Sequence, residues 1–152
     1  NTWSGIQKNT AQPAFSARLS STVDNVTGDG TSYTVVWDTE IFDQGSNFNT
    51  STGVFTAPVT GKYLLSIHIT FSGVLTAHDR HDIQITTSNN SYRLLFGDVT
   101  PDSQTRVGAT LTVLADMDTS DTASVVVTSY GSTKVIDLIG TLDSSFTGYL
   151  AC

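Results

Sequence analysis

The sequence predicts an all-β domain built as a sandwich or barrel of antiparallel sheets. Three observations support this: the composition, stretches in which polar and apolar residues alternate, and turn residues that recur at short spacing. The chain has 152 residues, of which 25 are Thr and 18 are Ser, whereas Glu40 is its one glutamate. Good helix formers are therefore scarce, while β-branched and aromatic residues are plentiful.

Alternation marks the strands, because successive side chains of a strand point to opposite faces of the sheet. The odd positions of 62–72 are all apolar and the even ones mostly polar, and 106–115 repeats this pattern. The stretches 15–20 and 35–41 alternate too, the second placing Val35, Trp37 and Ile41 on one face. Shorter strands are predicted at 82–87, 92–97, 123–130 and 146–151. Turns rich in Gly, Asn, Asp and Pro separate these stretches.

Two strands are apolar on both faces, at 94–96 and 125–127. A two-sheet sandwich buries only one face of each strand, so a second apolar face suggests that another subunit covers it. This pattern indicates an oligomer.

Charge and length exclude several classes of protein. The net charge of −7 argues against nucleic-acid binding and against adhesion to anionic lipid. No apolar run approaches the 18 or so residues of a membrane helix, so no membrane insertion is expected. Residues 1–12 are polar without alternation and are interpreted as a leader or stalk junction, which leaves 13–152 as one domain.

An acidic loop is the best candidate for a metal site. Asp116, Asp118 and Asp121 lie in one predicted loop between two strands. Calcium prefers six to eight hard oxygens, which such a loop supplies in part, although the spacing is not that of the helix-loop-helix calcium motif. The alternative is a solvated acidic turn.

A second candidate site is the run His78, Asp79, Arg80, His81 and Asp82. Two histidines and two carboxylates suit zinc, but His78 and His81 would point to opposite faces of a strand, and a third ligand is missing. The alternative is an exposed, pH-sensitive loop or a contact surface for a ligand. His68, on the polar face of its strand, is expected to be a hydrogen-bonded surface residue.

No catalytic motif is present, and the chain is not expected to be an enzyme. It has no Gly-x-Ser-x-Gly elbow and no phosphate-binding loop, because Thr56 and Tyr63 occupy positions that such a loop reserves for other residues.

The block 42–66 resembles the signature of the complement C1q globular head. It contains the aromatic-Asn pair Phe48-Asn49, then Gly-x-Phe-x-x-Pro at 53–58 and Gly-x-Tyr at 61–63, in the family's order. The segments 14–20, 108–111, 121–127 and 145–150 resemble further strands of that family. The resemblance runs from about Pro13 to Ala151.

The resemblance implies a ten-stranded jelly roll, shared with the tumour-necrosis-factor family, that assembles as a homotrimer. It places aromatic residues in the core and along the trimer axis, at positions matched by Phe15, Tyr63, Phe146 and Tyr149. Some C1q heads bind calcium near the trimer apex, which keeps calcium as a possible cofactor. Gly148 is expected to leave room for a neighbouring ring or backbone.

The resemblance and the lack of catalytic motifs predict a non-enzymatic, trimeric recognition head that binds a receptor or surface glycan. Composition suggests the tip of an extracellular fibre of a virus, bacteriophage or bacterium, which places it on a cell or virion surface. Two alternatives are a domain that only trimerises and caps a fibre, and a secreted signalling or innate-recognition ligand.

Overall fold

The computed structural model describes residues 11–97 and 105–152, and in these ranges it contains thirteen strands and no helix. The strands form two antiparallel sheets, which confirms the predicted all-β sandwich. The count exceeds the ten that the resemblance implies, because short pieces at the sheet edges are separate strands. The strands are β1 Ala14–Arg18, β2 Val23–Thr27, β3 Ser32–Thr34, β4 Thr39–Gln44, β5 Phe48–Asn49, β6 Val54–Thr56, β7 Gly61–Val74, β8 Arg80–Thr87, β9 Ser91–Gly97, β10 Thr105–Met117, β11 Thr122–Tyr130, β12 Ile136–Leu138 and β13 Ser145–Leu150.

The seven-stranded sheet is organised around β7, its longest strand. Its order is β2-β12-β7-β13-β1-β4. β12 and β13 pair with successive stretches of one edge of β7, and β10 pairs with the opposite edge. The six-stranded sheet has the order β5-β6-β11-β8-β9, with β3 paired to β11. The predicted alternation along β7 is confirmed, since Tyr63, Leu65, Ile67, Ile69 and Phe71 all lie in the core between the sheets.

The prediction of a single strand face through Val35, Trp37 and Ile41 is wrong. β3 ends before Val35 in the six-stranded sheet, and β4 begins after Trp37 in the other sheet. The chain thus crosses between the sheets at this point. Val35 and Trp37 are buried in the crossing, whereas Ile41 is exposed on β4.

The sandwich has two ends, which carry different parts of the chain. At one end, here called the terminal pole, the Leu150 N–H donates to the carbonyl of Pro13 and the Lys62 N–H to that of Cys152. Gln12, within the predicted leader, donates its side-chain amide to the Leu150 carbonyl there, while residues 1–10 lie outside the described residues. The opposite end, the distal pole, holds the β2–β3, β7–β8 and β11–β12 loops.

Candidate functional site

The outer face of the seven-stranded sheet carries an exposed apolar row near the terminal pole. Strand register aligns Leu114 of β10 with Leu64 of β7, Leu64 with Tyr149 of β13, and Tyr149 with Ala14 of β1. We call these four residues the apolar row. Leu114 is 56% exposed on the edge strand β10, and Tyr149 is 46% exposed although its strand is flanked by β7 and β1. Ile41 and Phe42 add two further exposed side chains on β4 of the same sheet.

Polar pairs follow the apolar row toward the distal pole. Ser66 and Thr112 share a hydrogen bond of 2.7 Å between their hydroxyls, and His68 Nδ1 lies 3.1 Å from Thr110 Oγ1. The expectation of a hydrogen-bonded surface histidine at His68 is confirmed. The Nε of Arg18, on β1 of this sheet, is buried and has no hydrogen-bond partner among the described residues.

The four aromatic residues picked by resemblance divide between core and surface. Phe15 and Phe146 pack edge to face with ring centroids 4.9 Å apart. Tyr63 is buried too, and its hydroxyl donates to the Val59 carbonyl at 2.8 Å, while burial raises the pKa of its phenol. Tyr149 lies outside the core, in the apolar row.

The two strands predicted to be apolar on both faces lie in the six-stranded sheet, not beside the apolar row. Val125 and Val127 of β11 point into the core, with Val126 half-buried between them on the outer face. Leu95 of β9 is 50% exposed on that outer face. The apolar row thus lies on the other sheet from the strands that the pattern indicated.

The three carboxylates of the predicted calcium loop each contact a different protein group. Asp116 pairs with the Lys62 ammonium at 2.6 Å. Asp118 accepts a hydrogen bond from the Thr60 hydroxyl, and Asp121 accepts from the Asn89 amide at 2.6 Å. In residues 11–97 and 105–152, no three His, Cys, Asp or Glu side chains are grouped to hold a metal. A calcium site here therefore stays a prediction that the single chain does not assemble.

The segment 78–82 is not the exposed loop that the sequence allowed. His78, His81 and Asp82 are buried, whereas Asp79 and Arg80 remain exposed. The reason is that His78 folds back from the β7–β8 turn, while His81 continues the inward face of β8. This burial leaves Asp79 and Arg80 as the members of the run that a ligand can reach.

Arginines flank the partly buried carboxylate of Asp82 on the outer face of the six-stranded sheet. The Arg80 Nε lies 3.9 Å from Asp82 Oδ1, and an Arg93 nitrogen lies 3.9 Å from Oδ2. The Arg80 guanidinium also stacks on Tyr130, 3.8 Å from the ring centroid. Cation–π contact and ion pairing together hold Arg80 against the sheet surface.

A polar cleft beside the β5–β6 hairpin is a further candidate that sequence reasoning missed. It is open to solvent, has a volume of about 490 Å³ and is lined by Ser46, Asn47, Phe48, Asn49, Thr50 and Thr56. None of these residues is ionisable, so the cleft offers hydroxyl and amide groups without charge. The Ser-Asn-Phe-Asn-Thr run was a visible signal, but turn propensity alone explains such residues.

Comparisons with known proteins identify the same fold. The family model of the C1q domain matches residues 14–151. The globular domain of zebrafish complement 1qA protein superposes with a TM-score of 0.63 at 17% identity, covering 93% of this chain and 98% of that one. Murine APRIL at pH 5.0 gives 0.63 at 11% identity, covering 91% and 98%. Eiger TNF from S. frugiperda gives 0.57 at 13%, covering 93% and 92%. The described residues contain no helix capable of crossing a membrane.

Proposed function

Because the chain belongs to the C1q domain family, we propose that it is a non-enzymatic recognition head that works as a homotrimer and binds a cell-surface receptor or glycan. We place it outside the cell, at the tip of a fibre on a virus, bacteriophage or bacterium. The match to the C1q domain family supports this proposal, since the resemblance of the sequence to that family implies a trimeric recognition head.

The apolar row is the observation that carries the proposal. A water-exposed Leu114 next to Leu64 and Tyr149 is costly for a monomer, and contiguous apolar patches on soluble domains mark interaction sites. A threefold assembly covers this face with copies of itself. The Nε of Arg18 on the same sheet is buried without a hydrogen-bond partner in residues 11–97 and 105–152, and a trimer would allow another chain to supply the acceptor.

Two surfaces outside the apolar row are the places where we expect a target to bind. The polar cleft at 46–56 suits the hydroxyl groups of a neutral sugar, which pair with amide and hydroxyl side chains. Asp79 and Arg80 lie at the distal pole, away from the pole where β1 begins, so a fibre attached through residues 1–12 would leave them facing outward.

A pair of matched variants tests the trimer. Leu114→Asp places a charge in the apolar row, whereas Leu95→Asp does so at an equally exposed leucine on the other sheet. Light scattering should give three times the 16.2 kDa chain mass for the natural protein and for Leu95→Asp, and one chain for Leu114→Asp. A natural protein that stays monomeric at micromolar concentration would remove the proposal's basis.

Glycan-array and cell-binding assays test recognition. We expect the trimer to bind, and Asn47→Ala in the cleft or Arg80→Ala at the distal pole to reduce binding at least tenfold while the trimer persists. No binding to any glycan or plausible target cell would exclude the recognition function.

The apolar row equally supports a second function, in which the domain only trimerises and caps a fibre. Under this function, variants at Asn47 and Arg80 leave attachment intact as long as the trimer forms. The sequence upstream of Asn1 would distinguish these two functions from a third, a secreted animal ligand. For such a ligand, a signal peptide and collagen-like repeats are expected upstream.

A further inference from the structure

Two histidines lie side by side in the core at the distal pole, where the proposed function does not use them. His78 is 1% exposed and His81 0%, with ring centroids 6.4 Å apart. The His81 ring also stacks on Phe96 at 5.2 Å and lies 5.9 Å from Phe71. Burial among these rings disfavours a cation at His81.

The hydrogen bonds of His78 fix one neutral tautomer. Its Nδ1 accepts from the backbone N–H of Leu75 at 2.9 Å, so this nitrogen carries the lone pair. Its Nε2 lies 3.1 Å from the Thr133 carbonyl and therefore carries the hydrogen. Both ring nitrogens are occupied, which leaves none for a metal. A second proton on Nδ1 would abolish the bond from Leu75.

His78 also connects three loops. Its own β7–β8 loop is joined to the β11–β12 loop through Thr133. The β2–β3 loop begins at Gly28, which packs so closely that an added Cβ would lie 2.8 Å from His78 Nε2 and 2.0 Å from the Thr133 oxygen. The Ser132 N–H also donates to the Gly28 carbonyl at 3.1 Å, so His78 adds to a set of contacts that tie the three loops of the distal pole together.

A second proton on the His81 ring would lack a hydrogen-bond acceptor among the described residues. Its Nδ1 bonds the Ser129 hydroxyl at 2.8 Å, while its Nε2 is buried with no partner among the described residues. A cation there would sit between aromatic rings without an acceptor. Burial lowers the pKa of His81, and a positive charge on His78 would lower it further, against a weaker opposing effect of Asp79 and Asp82.

Few charges face the pair from the elements that pack on it. Phe71 from β7, Phe96 from β9 and Ser129 from β11 are uncharged. Asp79, Arg80 and Asp82 lie on the segment of the histidines itself, with Arg80 and Arg93 next to Asp82. Asp29 and Lys134, from the other two loops, attract each other.

We propose that His78 and His81 form an acid-operated latch, which holds the three distal loops closed at neutral pH and releases them as the pH falls. An ordinary histidine takes up its proton near pH 6.5, as His81 would in an opened state. The opened state then binds more protons than the closed one below that pH. The stability of the closed pole is thus complete above about pH 7 and is lost as the pH falls through 6.5 toward the lowered pKa of His81.

Hydrogen–deuterium exchange on the full chain tests the latch. Between pH 7.5 and 5.5, after correction for intrinsic exchange, amides of the three distal loops should open several-fold and up to about tenfold more often, since one histidine that is protonated only in the opened state contributes at most about tenfold per pH unit. Amides of β13 at the terminal pole should change less than twofold. An equal rise at both poles, or no rise, would overturn the proposal.

Two variants separate the latch from other acid effects. His81→Gln removes one buried titration and should abolish most of the acid-induced opening, whereas the exposed His68→Gln should retain it. An acid response that survives in His81→Gln contradicts the latch. If His81→Gln does not fold, the imidazole ¹⁵N shifts of His81 in the natural protein decide: the latch requires a neutral His81 ring at pH 7.5 that is protonated together with loop opening, and protonation without opening refutes it.

Discussion

Replacing Gly148 by alanine should destabilise the domain by placing one methyl group in a space that is already filled. A Cβ at Gly148 would lie 2.7 Å from Phe15 Cε1 and 2.7 Å from Leu65 Cδ2. Carbon–carbon contacts settle at about 3.5–4.0 Å, so the neighbours must move by about 1 Å. The Phe15 ring cannot easily do so, because it is stacked on Phe48 at 4.9 Å and on Phe55 at 4.6 Å.

The size of the effect follows from two opposing terms. Overpacking of this kind costs about 1–3 kcal/mol, and the confined ring argues for the upper half of that range. Alanine also restricts the unfolded chain, which returns about 0.4–1 kcal/mol. We therefore expect Gly148→Ala to lower the free energy of unfolding by about 1–2.5 kcal/mol, measured by urea denaturation at one protein concentration.

Gly108→Ala is the matched control in the same sheet. The nearest atoms to its added Cβ are 3.9 Å away, so this variant should be as stable as the natural protein or slightly more so. Leu65→Val in the Gly148→Ala background should recover at least about 0.5 kcal/mol beyond the sum of the single effects, because the clash is shared. A stable Gly148→Ala protein, or one that Leu65→Val does not rescue, would refute the packing argument.

Three further outcomes are expected. Phe146→Ala, which empties a fully buried ring site next to Phe15, should cost about 3–5 kcal/mol in urea denaturation. Lys62→Ala should cost less than about 1 kcal/mol despite the 2.6 Å ion pair with Asp116, since the two side chains are 44% and 67% exposed, and 1 M NaCl should remove the difference. A calcium chelator should leave the midpoint of thermal unfolding unchanged, because the carboxylates of the 116–121 loop already have protein partners. A midpoint that rises with added calcium would show that the assembled protein completes the predicted calcium site.

The long strands could be predicted because their two faces differ in chemistry. The residues at 62–72 and 106–115 alternate, with Leu64 and Leu114 as the exceptions on the polar face, and β7 and β10 follow these stretches closely. The stretch at 35–41 alternates too, yet it is split between the sheets. Alternation records which side chains are buried and cannot tell whether they are buried by one sheet or by a crossing between two.

For the two distal histidines, the sequence contains a signal for the burial of His81 but not for that of His78. His81 lies two residues before Ile83, which lies two before Ile85, so the inward face of β8 was readable in advance. The burial of His78 was not, because it depends on the Thr133 carbonyl, 55 residues away in the chain. Tyr149 is similar: its position in β13 was predictable, but its exposure depends on which face of the sheet is left uncovered.

The anchoring of the last residue to Lys62 makes the molecule convenient for surface chemistry. Cys152 is the chain's one cysteine, and its thiol is exposed while its carbonyl is held by the backbone of β7. A maleimide-coated sensor would therefore capture every copy through the Cys152 sulfur at the terminal pole, and the distal loops would face the solution. Oriented immobilisation of this kind would let binding at those loops be measured without a fusion tag.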